Sequence, residues 1–154
     1  MQTQNLESVQ FRLVEHYIGK LQKANTGLQH NRRNSDYWFQ FIEQDWAQIR
    51  NWQRWTFGRS AINLRSAQLC ASLGIEGHEY VYVRQSPAER LSWYRQALEA
   101  AQQSGDGAKA RRLLYHVGTT AYQTGGFEEA EACGKRLLAV GRAAKDQLDR
   151  KSVV

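Results

Sequence analysis

Residues 86–145 read SPAERLSWYRQALEAAQQSGDGAKARRLLYHVGTTAYQTGGFEEAEACGKRLLAVGRAAK, and the punctuation of this stretch decides the fold. Ser86-Pro87-Ala88-Glu89 has the form of a capping box: Ser86 as N-cap, Pro87 at N1 and Glu89 at N3. The spacing predicts a helix from there to about Ser104, with Leu91, Tyr94, Ala97, Leu98 and Ala101 on one face. Gly105-Asp106-Gly107 stops it. A second helix follows over 108–124 with Leu114, Val117, Gly118 and Ala121 inward, and Gly125-Gly126 stops that one. A third runs from Phe127 to about Lys145 with Ala130, Cys133, Leu137 and Leu138 inward.

Upstream the same period continues. Residues 75–85 combine β propensity at Tyr80-Val81-Tyr82-Val83 with no partner strand, so they are read as helix. Residues 59–73 form a helix with Ile62, Leu69 and Leu73 inward and Gly74 at C′. Before the break at Gly58, one helix capped by Ser35 carries Trp38, Phe41, Ile42, Trp46, Ile49, Trp52 and Trp55, read as a packing seam. Residues 5–29 place Leu6, Val9, Leu13, Tyr17, Leu21 and Leu28 at helical steps. The expectation is an all-α chain of about seven antiparallel helices. It reads as one domain over 1–154: an N-terminal helical pair 5–57, a repeat region 59–146 and a frayed tail 147–154.

Composition agrees with this. The 154 residues are 42% hydrophobic and 23% charged with a single proline, Pro87, which permits long helices and excludes collagen, low-complexity and disulfide-scaffold classes. Cys70 and Cys133 stand far apart with no CxxC, so zinc-ribbon and thioredoxin-type motifs are excluded, and two free thiols in a reducing cytoplasm are expected over a disulfide. The first ten residues lack an apolar signal core, and no apolar run approaches a membrane span. A net charge of +6 points either to an acidic or nucleic-acid partner or to a solvated basic surface.

The stretch from Arg111 to Arg142 resembles a tetratricopeptide repeat through Leu114, Val117-Gly118, Ala121-Tyr122, the turn Gly125-Gly126-Phe127, Ala130 and Leu137. It departs from that pattern at Gly134 and Arg142. Leu91 to Asp106 resembles the second helix of a preceding repeat. The string from Tyr80 through Pro87 and Trp93-Tyr94 to Gly105-Asp106 is similar to the repeat region of bacterial STAND-type signalling ATPases, and Phe41 to Arg50 resembles the helix just before their repeats; the resemblance covers about residues 36–146 and lacks the P-loop module, since no G-x-x-x-x-G-K-[ST] occurs. The resemblance implies a helical-hairpin solenoid that binds partners on a groove lined by Arg112, Tyr115, His116, Thr119, Tyr122 and Gln123, with Tyr80, Tyr82 or Arg84 added from the preceding helix. It also implies that Gly118 and Ala130 allow close helix approach and that Phe127 plugs the turn.

The four histidines, at 16, 30, 78 and 116, seed no metal site by local spacing, and no nucleophile or nucleotide motif occurs. Neither a catalytic residue nor a cofactor is expected. The reading is a non-enzymatic protein-interaction module for a protein or acidic peptide. The alternative is a nucleic-acid accessory protein using Lys109, Arg111 and Arg112. Self-association is expected through the Trp-rich helix or through Leu137, Leu138 and Val140 of the last helix.

Overall fold

The computed structural model describes the backbone of residues 2–152 and the side chains of residues 5–145 and 147, and among these residues it is helical throughout, with no strand. Helix α1 spans Gln2–His30; a short 3-10 turn, Arg32–Asn34, leads into α2, Ser35–Glu43, and α3, Trp46–Arg59. Then come α4, Leu64–Glu76; α5, His78–Arg84; α6, Pro87–Gln103; α7, Gly107–Gln123; and α8, Phe127–Ser152.

The caps of the C-terminal half form as the sequence predicts. The Ser86 hydroxyl accepts from the Glu89 N–H at 3.3 Å, and Glu89 Oε2 accepts from the Ser86 hydroxyl at 2.8 Å and from the Ser86 N–H at 3.1 Å; these last two bonds hold the Glu89 carboxyl below its usual range. Helix α6 ends with Gly105 at φ +72° and Asp106 N–H donating to Ala101 C=O; α7 ends with Gly125 at φ +81° and Gly126 N–H donating to Ala121 C=O. Both are Schellman turns, which need a left-handed residue at C′. Asp106 then caps α7 by accepting from Lys109 N–H at 3.0 Å, so Gly107 begins that helix rather than ending the one before.

Helix α4 is the hub, in contact with α1, α3, α5, α6 and α7. Ser66, Ala67, Leu69, Cys70, Ala71, Leu73, Gly74 and Ile75 are all buried, so it is covered on nearly every side. Gly74 lies inside this helix, not past its end: a Cβ there would collide with the Cβ of Ala97 on α6, and the true C-cap is Gly77. Small residues on both helices, Ala71 and Gly74 facing Ala97 and Ala101 in one core, let the axes approach closely. The Trp93 indole of α6 reaches across to donate to Gly74 C=O at 3.3 Å.

Several N-terminal readings are corrected. The expected single helix over 36–57 is two, parted at Gln44-Asp45, where Asp45 pairs with Lys20 of α1. The break sends Phe39 and Ile42 into one part of the core and turns Trp46 onto Tyr80 and Trp93. Gly58 does not interrupt α3, and Ser35 is the first residue of α2 instead of its cap. In α1 the buried residues are Val14, Ile18, Leu21 and Ala24, while Leu6, Val9 and Leu13 face outward; Phe11 packs edge-on against Trp55. Ile62 and Leu138 are exposed, as is Phe127, which leans on Tyr122 without plugging the turn. The tryptophans are packed against the core: Trp46 is buried and Trp38, Trp52 and Trp55 partly so. Helix α8 continues through Ser152, so residues 147–152 are helical where a frayed tail is expected; Val153 and Val154 lie outside the described residues. Both cysteines are free and buried.

Two glycine substitutions separate packing from propensity. Gly74→Ala is expected to destabilise the chain by about 1–2 kcal/mol despite alanine's better helix propensity, because overpacking at Ala97 outweighs it. Gly19→Ala, which meets no neighbour within 4 Å, is expected to stabilise by about 0.5–1 kcal/mol. Urea unfolding of the two variants checks both signs.

Candidate functional site

Helix α7 is amphipathic. Leu113, Leu114, Val117, Thr120 and Ala121 face the core, leaving Arg111, Arg112, Tyr115, Tyr122 and Gln123 exposed. Tyr115, Thr119 and Tyr122 follow one another at helical steps and form a ridge. The Thr119 hydroxyl turns back to donate to Tyr115 C=O at 3.0 Å. Tyr115 and Tyr122, 57% and 66% exposed, stand out from a helix fixed on both flanks by α6 and α8.

The ridge separates two hollows. The one toward α8, about 420 Å³, is floored by Gly118, Ala130, Cys133 and Gly134 and walled by Tyr115, Tyr122 and Leu137. Its floor is shallow because the two helices nearly touch: a Cβ on Gly118 would lie 2.9 Å from that of Cys133. The one toward α5 and α6, about 290 Å³, is lined by His78, Tyr82, Tyr94, Tyr115, His116 and Gln123.

Within this second hollow His78 of α5 and His116 of α7 stack face to face, with centroids 3.9 Å apart, and His78 Nδ1 shares a 2.8 Å hydrogen bond with the Tyr94 hydroxyl. Burial, the neighbouring imidazole and the Arg112 charge push His116 down to about 4; burial chiefly lowers His78 as well, Glu79 opposing and Arg112 assisting. Burial also raises the Tyr94 hydroxyl, so at neutral pH the cluster is uncharged. It is an aromatic wall with hydroxyl and imidazole edges.

Of the predicted groove residues, Tyr82, Tyr115, His116, Thr119, Tyr122 and Gln123 line these two hollows. Arg112 is exposed near the histidines. Two are elsewhere. Tyr80 is buried, tilted against Trp46 with ring centroids 4.5 Å apart, because a short helix between α4 and α6 must turn one side to the core. Arg84 lies over Phe39 at 5.2 Å and 3.9 Å from Asp36, facing α2. Sequence reasoning missed His78 and Tyr94 as site residues, since spacing carries no sign of a pairing between α5, α6 and α7. Gly118 and Cys133 were legible only as packing residues.

Residues 88–114 match the family model of the DM14 domain of coiled-coil and C2 domain-containing protein 1. The match spans α6 from its second residue, the Gly105-Asp106 turn and the first half of α7. It overturns the repeat resemblance: Leu91 to Asp106, read as a tetratricopeptide helix of a STAND-type array, is similar instead to that domain. The misreading has a physical cause, because small packing residues and a glycine-initiated turn serve any closely packed helical hairpin. No curated protein and no solved structure matches the chain. The α7 face as a candidate site thus rests on its geometry.

The histidine pair sets a pH dependence. A histidine whose folded pKa lies below its unfolded value is proton-poor in the native state, so stability rises with pH across the interval between the two. Stability is therefore fully present above pH 6.5 and is lost as pH falls toward 4. Thermal melts across that range are expected to show Tm falling with acidification, and falling less in His116→Phe, which keeps the stack but cannot titrate.

Proposed function

We propose that this chain is a non-enzymatic protein-interaction module whose α7 face binds an acidic peptide segment carrying an apolar anchor. The observation that carries the reading is the pair of exposed tyrosines, Tyr115 and Tyr122, flanking an apolar hollow on a helix held rigid by its neighbours. Tyrosine contributes large contact area at little entropic cost, and an apolar side chain of the partner would enter between Tyr122 and Leu137. Arg111 and Arg112, exposed at the start of the ridge, and a net charge of +6 favour carboxylates beside that anchor. In this reading α6, α7 and α8 are stacked helical hairpins whose last member keeps Leu138 and Val140 exposed for a further contact, including self-association. A reducing compartment suits Cys70 and Cys133 as buried free thiols. The nucleic-acid alternative is weakened because Lys109, one of its three cations, is held by Asp106 at 2.7 Å.

Panning a displayed random-peptide library on the full chain tests the reading. Enriched peptides are expected to pair acidic residues with a large apolar one, and Tyr115→Ala or Tyr122→Ala is expected to weaken their binding by about tenfold or more by fluorescence anisotropy. Binding that both variants leave unchanged, or enrichment of nothing alongside salt-sensitive retention of nucleic acid, overturns it.

A further inference from the structure

Besides the two hollows flanking α7, a third lies between α3, α5 and α6: a cleft of about 100 Å³, lined among others by Trp46, Arg50, Gln53, Arg54, Trp93 and Gln96. Its residues are unusual in what they leave unused. Trp46 is 8% exposed, and its indole N–H is buried with no acceptor, whereas the indole of Trp93 is satisfied by Gly74. Buried donors almost always find partners, so an orphan beside a cleft marks a place where an acceptor belongs. Gln53, 2% exposed on the middle of α3, holds its amide rigidly by donating to Trp93 C=O at 3.1 Å.

Charge gives the chemistry. Arg50 and Arg54 sit one helical turn apart on the same helix, so both guanidinium groups rise on the same side of the cleft. Arg54 has no ion pair among the described residues. Arg50 has only Glu89, which also lines the cleft: its Oε1 lies 3.8 Å from the guanidinium, while its Oε2 is engaged by the Ser86 N–H and hydroxyl. The Arg54 fork, the Arg50 fork with its long contact to Glu89, the Gln53 amide and the orphan indole N–H form a wall whose donors outnumber its one carboxylate, and the acceptor that matches it is a flat anion. Trp46 and Trp93, with centroids 5.0 Å apart, supply an apolar side. At roughly 30 Å³ per water the cleft holds about three waters, the size of a carboxylate with a short aliphatic body.

We infer that the Trp46–Arg50–Arg54 cleft is a binding site for a small aliphatic carboxylate, separate from the α7 face. The carboxylate lies against Arg50 and Arg54, accepts a hydrogen bond from the Trp46 N–H, and rests its hydrocarbon on the indoles. The same headgroup could come from a free metabolite-sized acid or from the C-terminus of a partner chain; the small volume, about 100 Å³, favours the free acid.

The test follows the five indole N–H signals of the ¹⁵N-labelled full chain during titration with sodium butyrate, against sodium chloride at matched ionic strength, with Trp46→Phe to assign the signal. The Trp46 signal is expected to move downfield and saturate, with half-saturation at about 10 mM or below. Arg50→Gln with Arg54→Gln, both surface changes, is expected to raise that concentration at least about tenfold while the rest of the spectrum stays dispersed. A Trp46 signal that follows the chloride control, or that saturates equally in the double variant, overturns the site. A response to a short peptide with a free C-terminus but not to its amidated twin, with none to butyrate, overturns the free-acid source in favour of a partner terminus.

Discussion

Gly74 against Ala97 is the contact on which the rest of the molecule depends. At that point α4 and α6 pass with only hydrogens and one methyl between their backbones. A larger side chain on either helix would lever the axes apart, and every neighbour of α4 would move with it, since α1, α3, α5 and α7 all pack on the same rod. The proximity brings Trp93 within reach of a carbonyl on α4 and sets Gln53 of α3 against the backbone of α6. It also fixes Tyr94, one residue beyond Trp93, where it meets the histidines. Helix spacing in the core thus positions both surfaces that carry chemistry.

The two surfaces differ in kind. The α7 face is convex aromatic relief over a small-residue floor, made where α8 must approach Gly118 closely. The α3–α6 cleft is a recess of donors. From that cleft a run of tilted aromatic contacts, Trp93 to Trp46 to Tyr80 to Phe39, crosses from α6 and α3 to α5 and α2. Cross-helix ion pairs such as Arg95–Glu129, and Glu7 and Glu15 with Arg59 and Arg65, lie outside this core at the surface. There solvent screening leaves them small energetic weight.

What could be read from the sequence follows from how local each signal is. Helices α6, α7 and α8 are delimited by caps that act within five residues, so Ser86, Gly105 and Gly125 mark boundaries the structure keeps. Helices α2 and α3 have no such side-chain cap. Gln44-Asp45 breaks a helix without glycine or proline, because tertiary contacts at Lys20 and Trp46 decide it. In α1, Leu6, Val9 and Leu13 compete with Phe11, Val14 and Ile18 at the same helical spacing, and only the placement of α3 and α4 chooses between the two stripes. The candidate site shows the same division. Tyr115, Thr119 and Tyr122 share a face by period alone, whereas the meeting of His78 with His116 needs three helices in register. The family reading failed for a related reason, since hairpin grammar is shared by unrelated helical pairs.

The overlap of Trp46 and Trp93 has an optical consequence. Two indoles at 5.0 Å and a 35° tilt are coupled chromophores, held on α3 and α6 with Tyr80 alongside. Their asymmetric environment gives the near-ultraviolet dichroism of the chain a component from the seam where the N-terminal helices dock on α6, beside that of the Trp52–Trp55 pair within α3. Far-ultraviolet signal counts helices wherever they are, and persists when packing loosens. The molecule therefore carries an internal gauge that reads the docking of its two halves independently of its helix content.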